Sequence, residues 1–180
     1  QRVYGHAQAA LDHGVRGVFG WVGPELCIPP LMPVDSFDSL VYEPDHALCD
    51  LIHDATSWVW VHCHGRMRPV LDRFIHMGVD VLNPIEPPPM GDITLEEAFL
   101  QVGSAMGLEG NIETHDIMTA TPDAFIQTLR ETIEAGVKPG RRFILCASSG
   151  YMEMPEPTEL HIHNLLLFVQ EGLRLAETLA

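Results

Sequence analysis

The feature that most limits what this chain can fold into is a repeated unit: a short apolar run, a polar segment, then a stretch with helical spacing. Five runs read as strands, from Gly14 to Phe19, Trp58 to His62, Val79 to Asn83, Met106 to Ile112 and Phe143 to Ala147. Each is apolar on both faces and often β-branched, as expected of parallel strands buried between an interior and an outer layer of helices. Between them, Phe37, Leu40, Val41, Leu48, Leu51 and Ile52 predict a helix entered at Asp35 and kinked at Pro44. Val70, Leu71, Phe74, Ile75 and Met77 form a second stripe that stops at Gly78. Thr94 with Glu97 makes a capping box, Thr121, Pro122 and Gly136 frame another helix, and a last helix runs from Thr158 to near Ala180.

This alternation predicts an α/β fold with a parallel sheet, and the expected architecture is a partial TIM (β/α)8 barrel of about five β/α units. Five strands do not close a barrel of eight, so residues 1–180 read as one domain, the carboxyl-terminal part of a larger barrel.

Composition narrows the function classes. The chain is 46% hydrophobic and 19% charged, as in ordinary globular proteins. Ten Lys and Arg against 25 Asp and Glu leave a net charge of −15, which opposes binding to nucleic acid or an anionic membrane. No apolar run is long enough to span a bilayer, and the amino terminus shows no signal-peptide pattern. Cys27, Cys49, Cys63 and Cys146 are neither paired nor closely spaced, so reduced thiols and a cytoplasmic setting are expected.

In a parallel barrel the loops after the strands converge on one mouth. That rule gathers Trp21 and Glu25, then His62, His64 and Arg66, then Glu86, then Asn111 and Glu113, and last Cys146, Ser149 and Tyr151. His62 and His64 stand out, because alternate residues of a strand share a face and can offer two imidazoles to one metal ion. Glu86, Glu113 or Cys146 could supply a third ligand; equally, the histidines could hydrogen-bond in a polar mouth with no metal. Glu25, Glu86 and Glu113 are candidate catalytic carboxylates, and Trp21, Arg66, Asn111, Ser149 and Tyr151 candidate substrate contacts. Glu109, inside an apolar strand, is expected to find an ion-pair partner or to hold a raised pKa. His161 and His163 are expected at the surface, and Met67, Met77 and Met90 in the core.

The runs VHCHGRMRPVLDRFIHMGVDVLNPIEPPPMGDITLEEA, LEGNIETHDIMTATPDAF and RRFILCASSGYMEMPEP resemble, in order, the uroporphyrinogen decarboxylase superfamily. That resemblance implies the second half of the family's barrel and one of two chemistries, porphyrinogen decarboxylation or zinc-dependent methyl transfer between a corrinoid and a thiol. The methyltransferase branch holds zinc through His-x-Cys and a distant Cys; here His62 and His64 occupy the pair, with Ser149 near the distant position and Cys146 three residues earlier. The decarboxylase branch resembles the chain at Gly110-Asn111 and draws arginines and an aspartate from the barrel's other half. Gly23-Pro24-Glu25 and His62-Cys63-His64-Gly65 look more like methyltransferase-like relatives. The implied cofactors and partners are zinc, a corrinoid on a partner protein and a small-molecule substrate. An oligomer is compatible with this, and a non-catalytic barrel that binds a ligand or a corrinoid protein is the third reading.

Overall fold

All five apolar runs become strands of one sheet in the computed structural model, which describes residues 2–150 and 156–179. The strands are β1 (Val18–Val22), β2 (Trp58–His62), β3 (Val81–Asn83), β4 (Gly107–Ile112) and β5 (Phe143–Ala147). They pair in parallel in chain order, β1-β2-β3-β4-β5, so each crossover advances the sheet by one strand. The helices are α1 (Arg2–Asp12), α2 (Val34–Phe37), α3 (Glu43–Asp54), α4 (Leu71–Met77), α5 (Leu95–Val102), α6 (Thr114–Thr119), α7 (Pro122–Gly136) and α8 (Glu159–Leu179).

β2, β4 and β5 stand within a residue of the sequence reading, but β1 lies four residues later than expected at its start. Gly14 and Gly17 both adopt positive φ, at 83° and 131°, so the chain turns twice after α1 before it can extend. Gly17 then accepts the Trp58 N–H at 2.8 Å, which sets the register of β1 on β2. β3 starts at Val81 because the Val79 N–H still closes the end of α4, bonding the Phe74 carbonyl at 3.0 Å. The single kinked helix expected around Pro44 is instead α2, a π turn over Asp38–Tyr42, and α3. Pro44 sits in the first turn of α3, where its missing N–H is tolerated.

Two apolar clusters hold the layers together. The larger packs β1 to β4 on the helices up to α5, around Phe37, Phe74, Met67 and Met77; the smaller joins Ile112 to Phe125, Leu129, Ile133 and Leu175 of α7 and α8. Met90 does not belong to either and is 65% exposed, since it follows Pro87-Pro88-Pro89 on a surface loop. His161 is buried and not at the surface, because it and Asn164 share the face of α8 that meets α6. Asn164 Nδ2 donates to the Ile117 and Ala120 carbonyls at 3.0 and 2.9 Å, satisfying groups that the end of α6 leaves open.

Among the described residues no helix covers the sheet's other face. Val18, Val22, Trp58 and Ile144, at 70%, 65%, 56% and 51% exposure, stand on it, and it leads at the strand ends to the polar residues described next.

Candidate active site

Strand alternation places the site. Along β2 and the two residues after it, Val59, Val61 and Cys63 are buried against helices, while Trp60, His62 and His64 stand half-buried on the open face. Their rings contact in sequence: Trp60 stacks on His62 with centroids 5.9 Å apart, and His62 meets His64 edge to face at 4.5 Å. Gly20, opposite Trp60 in register, leaves room for the indole, since a Cβ there would lie 2.9 Å from Trp60 Cε3.

Each imidazole is gripped at Nδ1 from the end of β3. His62 Nδ1 lies 2.7 Å from Asn83 Oδ1, and His64 Nδ1 lies 2.8 Å from Glu86 Oε1. The Gly65 N–H donates to the second Glu86 oxygen at 3.3 Å. The Glu86 hydrogen bond raises the His64 pKa; burial opposes this, and the charges of Glu86, Glu25 and Glu113 reinforce it. For Glu86 burial is the largest influence and favours the neutral acid, but His64, the Gly65 N–H and His62 together outweigh it and hold the carboxyl below its ordinary value. Glu113 is pushed the other way, by burial and then by the Glu86 charge. Ser148 donates to Glu113 Oε2 at 3.2 Å, and Glu113 Oε1 is buried with no hydrogen-bond partner among the described residues.

Other expected site residues fall in different places. Glu25 joins the mouth, half-buried, with Oε2 accepting the Gly23 N–H at 3.0 Å. Ser149 lies beside Glu113, tied to Thr114 by a 2.9 Å bond to its carbonyl. Trp21 faces the helices, donating to Asp45 on α3 at 3.0 Å, because β1 begins later than expected and Trp21 is a strand residue. Asn111 is buried and accepts from Thr132 of α7 at 3.4 Å, on the helix side of the sheet. Arg66 is exposed. Tyr151 lies outside the described residues. Glu109 takes the Trp60 indole N–H at 2.7 Å in place of an ion pair, and burial with the neighbouring Glu109 carboxylate pushes the Cys146 thiol up to about 11.

Among the described residues no group of three His, Cys, Asp or Glu is arranged to hold a metal ion, so the expected zinc set of His62, His64 and Cys146 is not assembled by these residues. Two imidazoles held at Nδ1 make half of such a site, and among the described residues no third donor joins them.

The uroporphyrinogen decarboxylase (URO-D) family model matches residues 25–170, a span that includes every residue of this cluster. The chain belongs to the uroporphyrinogen decarboxylase family. Its fold is part of that family's TIM-barrel architecture: a methyltransferase from Methanosarcina mazei superposes with a TM-score of 0.69 at 19% identity, covering 98% of this chain and 46% of that one. The chain thus spans less than half the length of that methyltransferase. A thiamine phosphate pyrophosphorylase from Pyrococcus furiosus also matches, at a TM-score of 0.39 and 12% identity over 98% of this chain and 90% of that one. No curated protein matches the chain. Members of the uroporphyrinogen decarboxylase superfamily are decarboxylases or methyltransferases, and no helix among the described residues is long and apolar enough to cross a membrane.

Proposed function

We propose that the chain carries the acid–base part of the active site of a methyltransferase-type member of this family, and that His64 is its general base. The His64–Glu86 pair at 2.8 Å is the observation that supports this most directly. A carboxylate on Nδ1 orients the ring, strengthens Nε2 as a base and stabilises the imidazolium that forms, the same logic as a catalytic triad. An acceptor X–H, a thiol or similar group, gives its proton to His64 Nε2; X then bonds the methyl carbon, and the methyl–donor bond breaks with its electron pair left on the donor. The donor in this reading is a methylated corrinoid on a partner protein, matching the printed activity of the Methanosarcina mazei protein only in class. No step is routed through zinc, since among the described residues no third donor joins the two imidazoles.

Among the described residues no Lys or Arg pairs with Glu25, Glu86, Glu109 or Glu113, so this part of the barrel supplies carboxylates and imidazoles, which suit proton transfer from an acceptor; the arginines of a decarboxylase would come from the barrel's other half. The test assays the intact protein for methyl transfer from a methylated corrinoid to a thiol, and for turnover of uroporphyrinogen. His64→Ala should lower methyl transfer by about 100-fold or more. Turnover of uroporphyrinogen with no methyl transfer would overturn the proposal and establish the decarboxylase reading.

A further inference from the structure

Asn83 ends β3, is 4% exposed and lies opposite His62 in the strand register. It holds the histidine pair at two points. Its side-chain Oδ1 meets His62 Nδ1 at 2.7 Å, and its backbone carbonyl accepts the Cys63 N–H, between the two histidines, at 2.7 Å. The amide itself is oriented by a third contact, Nδ2 donating to the Glu109 carbonyl at 3.5 Å. Turning the amide over would set its oxygen against that carbonyl and leave two acceptors facing each other. The side chain of Glu109, on β4, holds the Trp60 indole, and Trp60 stacks on His62, so the ring is bounded on its face as well as its edge.

We infer that Asn83 is a positioning residue that fixes His62 as the tautomer protonated at Nδ1, with the Nε2 lone pair left for a ligand or a proton. An amide oxygen only accepts, so the imidazole nitrogen opposite it must carry the hydrogen. The other tautomer would bring two lone pairs together at 2.7 Å in a part-buried setting. His64 is gripped at the same atom by a carboxylate, so the two rings are given unequal partners: a neutral amide for His62 and a charged acid for His64. The inference gives the site proposed above a second defined nitrogen, but its test does not depend on that site's activity.

The tautomer is read directly by long-range proton–nitrogen spectra of the intact protein with labelled histidine, about two pH units above the ordinary imidazole range. The His62 signals are identified by their loss in His62→Gln. The expected wild-type pattern is a protonated Nδ1 and an unprotonated Nε2. Asn83→Leu should shift the unprotonated signal from Nε2 toward Nδ1, while Asn83→Asp, which keeps an acceptor, should retain the wild-type pattern. His53, bonded through Nε2 to Asp80 at 2.8 Å, reports that the fold persists in each variant. A wild-type His62 protonated at Nε2 overturns the inference whether or not any variant folds. So does an unchanged pattern in Asn83→Leu with the His53 signals intact. A failed methyl-transfer assay leaves these spectra unaffected, so the two claims stand or fall separately.

Discussion

Glu86 binds two groups at once, the His64 ring and the Gly65 N–H, and the consequences are measurable one residue at a time. Glu86→Gln keeps the shape and removes the charge, so the His64 pKa should fall back toward 6.5 and stability should drop by about 1–3 kcal/mol, read by histidine titration and urea unfolding. The sign of the pH dependence follows from the two directions of shift. The raised His64 contributes stability fully below 6.5 and loses it as pH rises through its folded value. The lowered Glu86 contributes fully above 4.5 and loses it as pH falls through its folded value. Their joint contribution is therefore complete between 4.5 and 6.5, and Glu86→Gln should flatten both flanks of the wild-type stability profile. His62 and His64 were legible in the sequence because alternation on a strand is local. Asn83 was not, because its meeting with His62 depends on which residues two separate strands bring level.

Helix ends and helix–strand contacts behave as elements. The Thr94–Glu97 capping box forms as its sequence predicts, with the Glu97 N–H donating to Thr94 Oγ1 at 3.2 Å and the Thr94 N–H to Glu97 at 3.0 Å. Thr94→Ala should cost about 1 kcal/mol, seen as a lower denaturant midpoint with unchanged slope. Gly136 looked like a helix stop, yet the helix includes it, and its role is packing: an added Cβ would run into the Phe143 ring of β5. Gly136→Ala should destabilise by about 1–3 kcal/mol through overpacking, and Gly140→Ala, with no atom near its Cβ site, serves as the control for backbone strain alone at φ +83°. Thr121 precedes α7 as expected, but its side chain makes no cap, and Pro122 in the first turn provides the start. The displaced start of β1 has the same lesson: two glycines in succession turn the chain, and apolar residues such as Val15 read as strand until the turn is known.

For the whole molecule, the open sheet face and the net charge oppose each other. Val18, Val22, Trp58 and Ile144 present an apolar surface that favours association, while a charge of −15 repels copies of the chain. The described chain on its own should therefore scatter as a small species at low ionic strength and gain mass as added salt screens that repulsion. A mass that is independent of salt and protein concentration would contradict this balance. Local chemistry in the sequence determined the parallel α/β fold, the number of strands, the capping box and the histidine pair, because side-chain period and turn residues act within a few positions. Only the tertiary structure decided that Trp21 and Asn111 face the helices, that Glu109 takes the Trp60 indole, and that Asn83 and Glu86 grip the histidines. Those outcomes depend on the register between strands far apart in the chain, and a shift of one residue in register turns a side chain from one face of the sheet to the other.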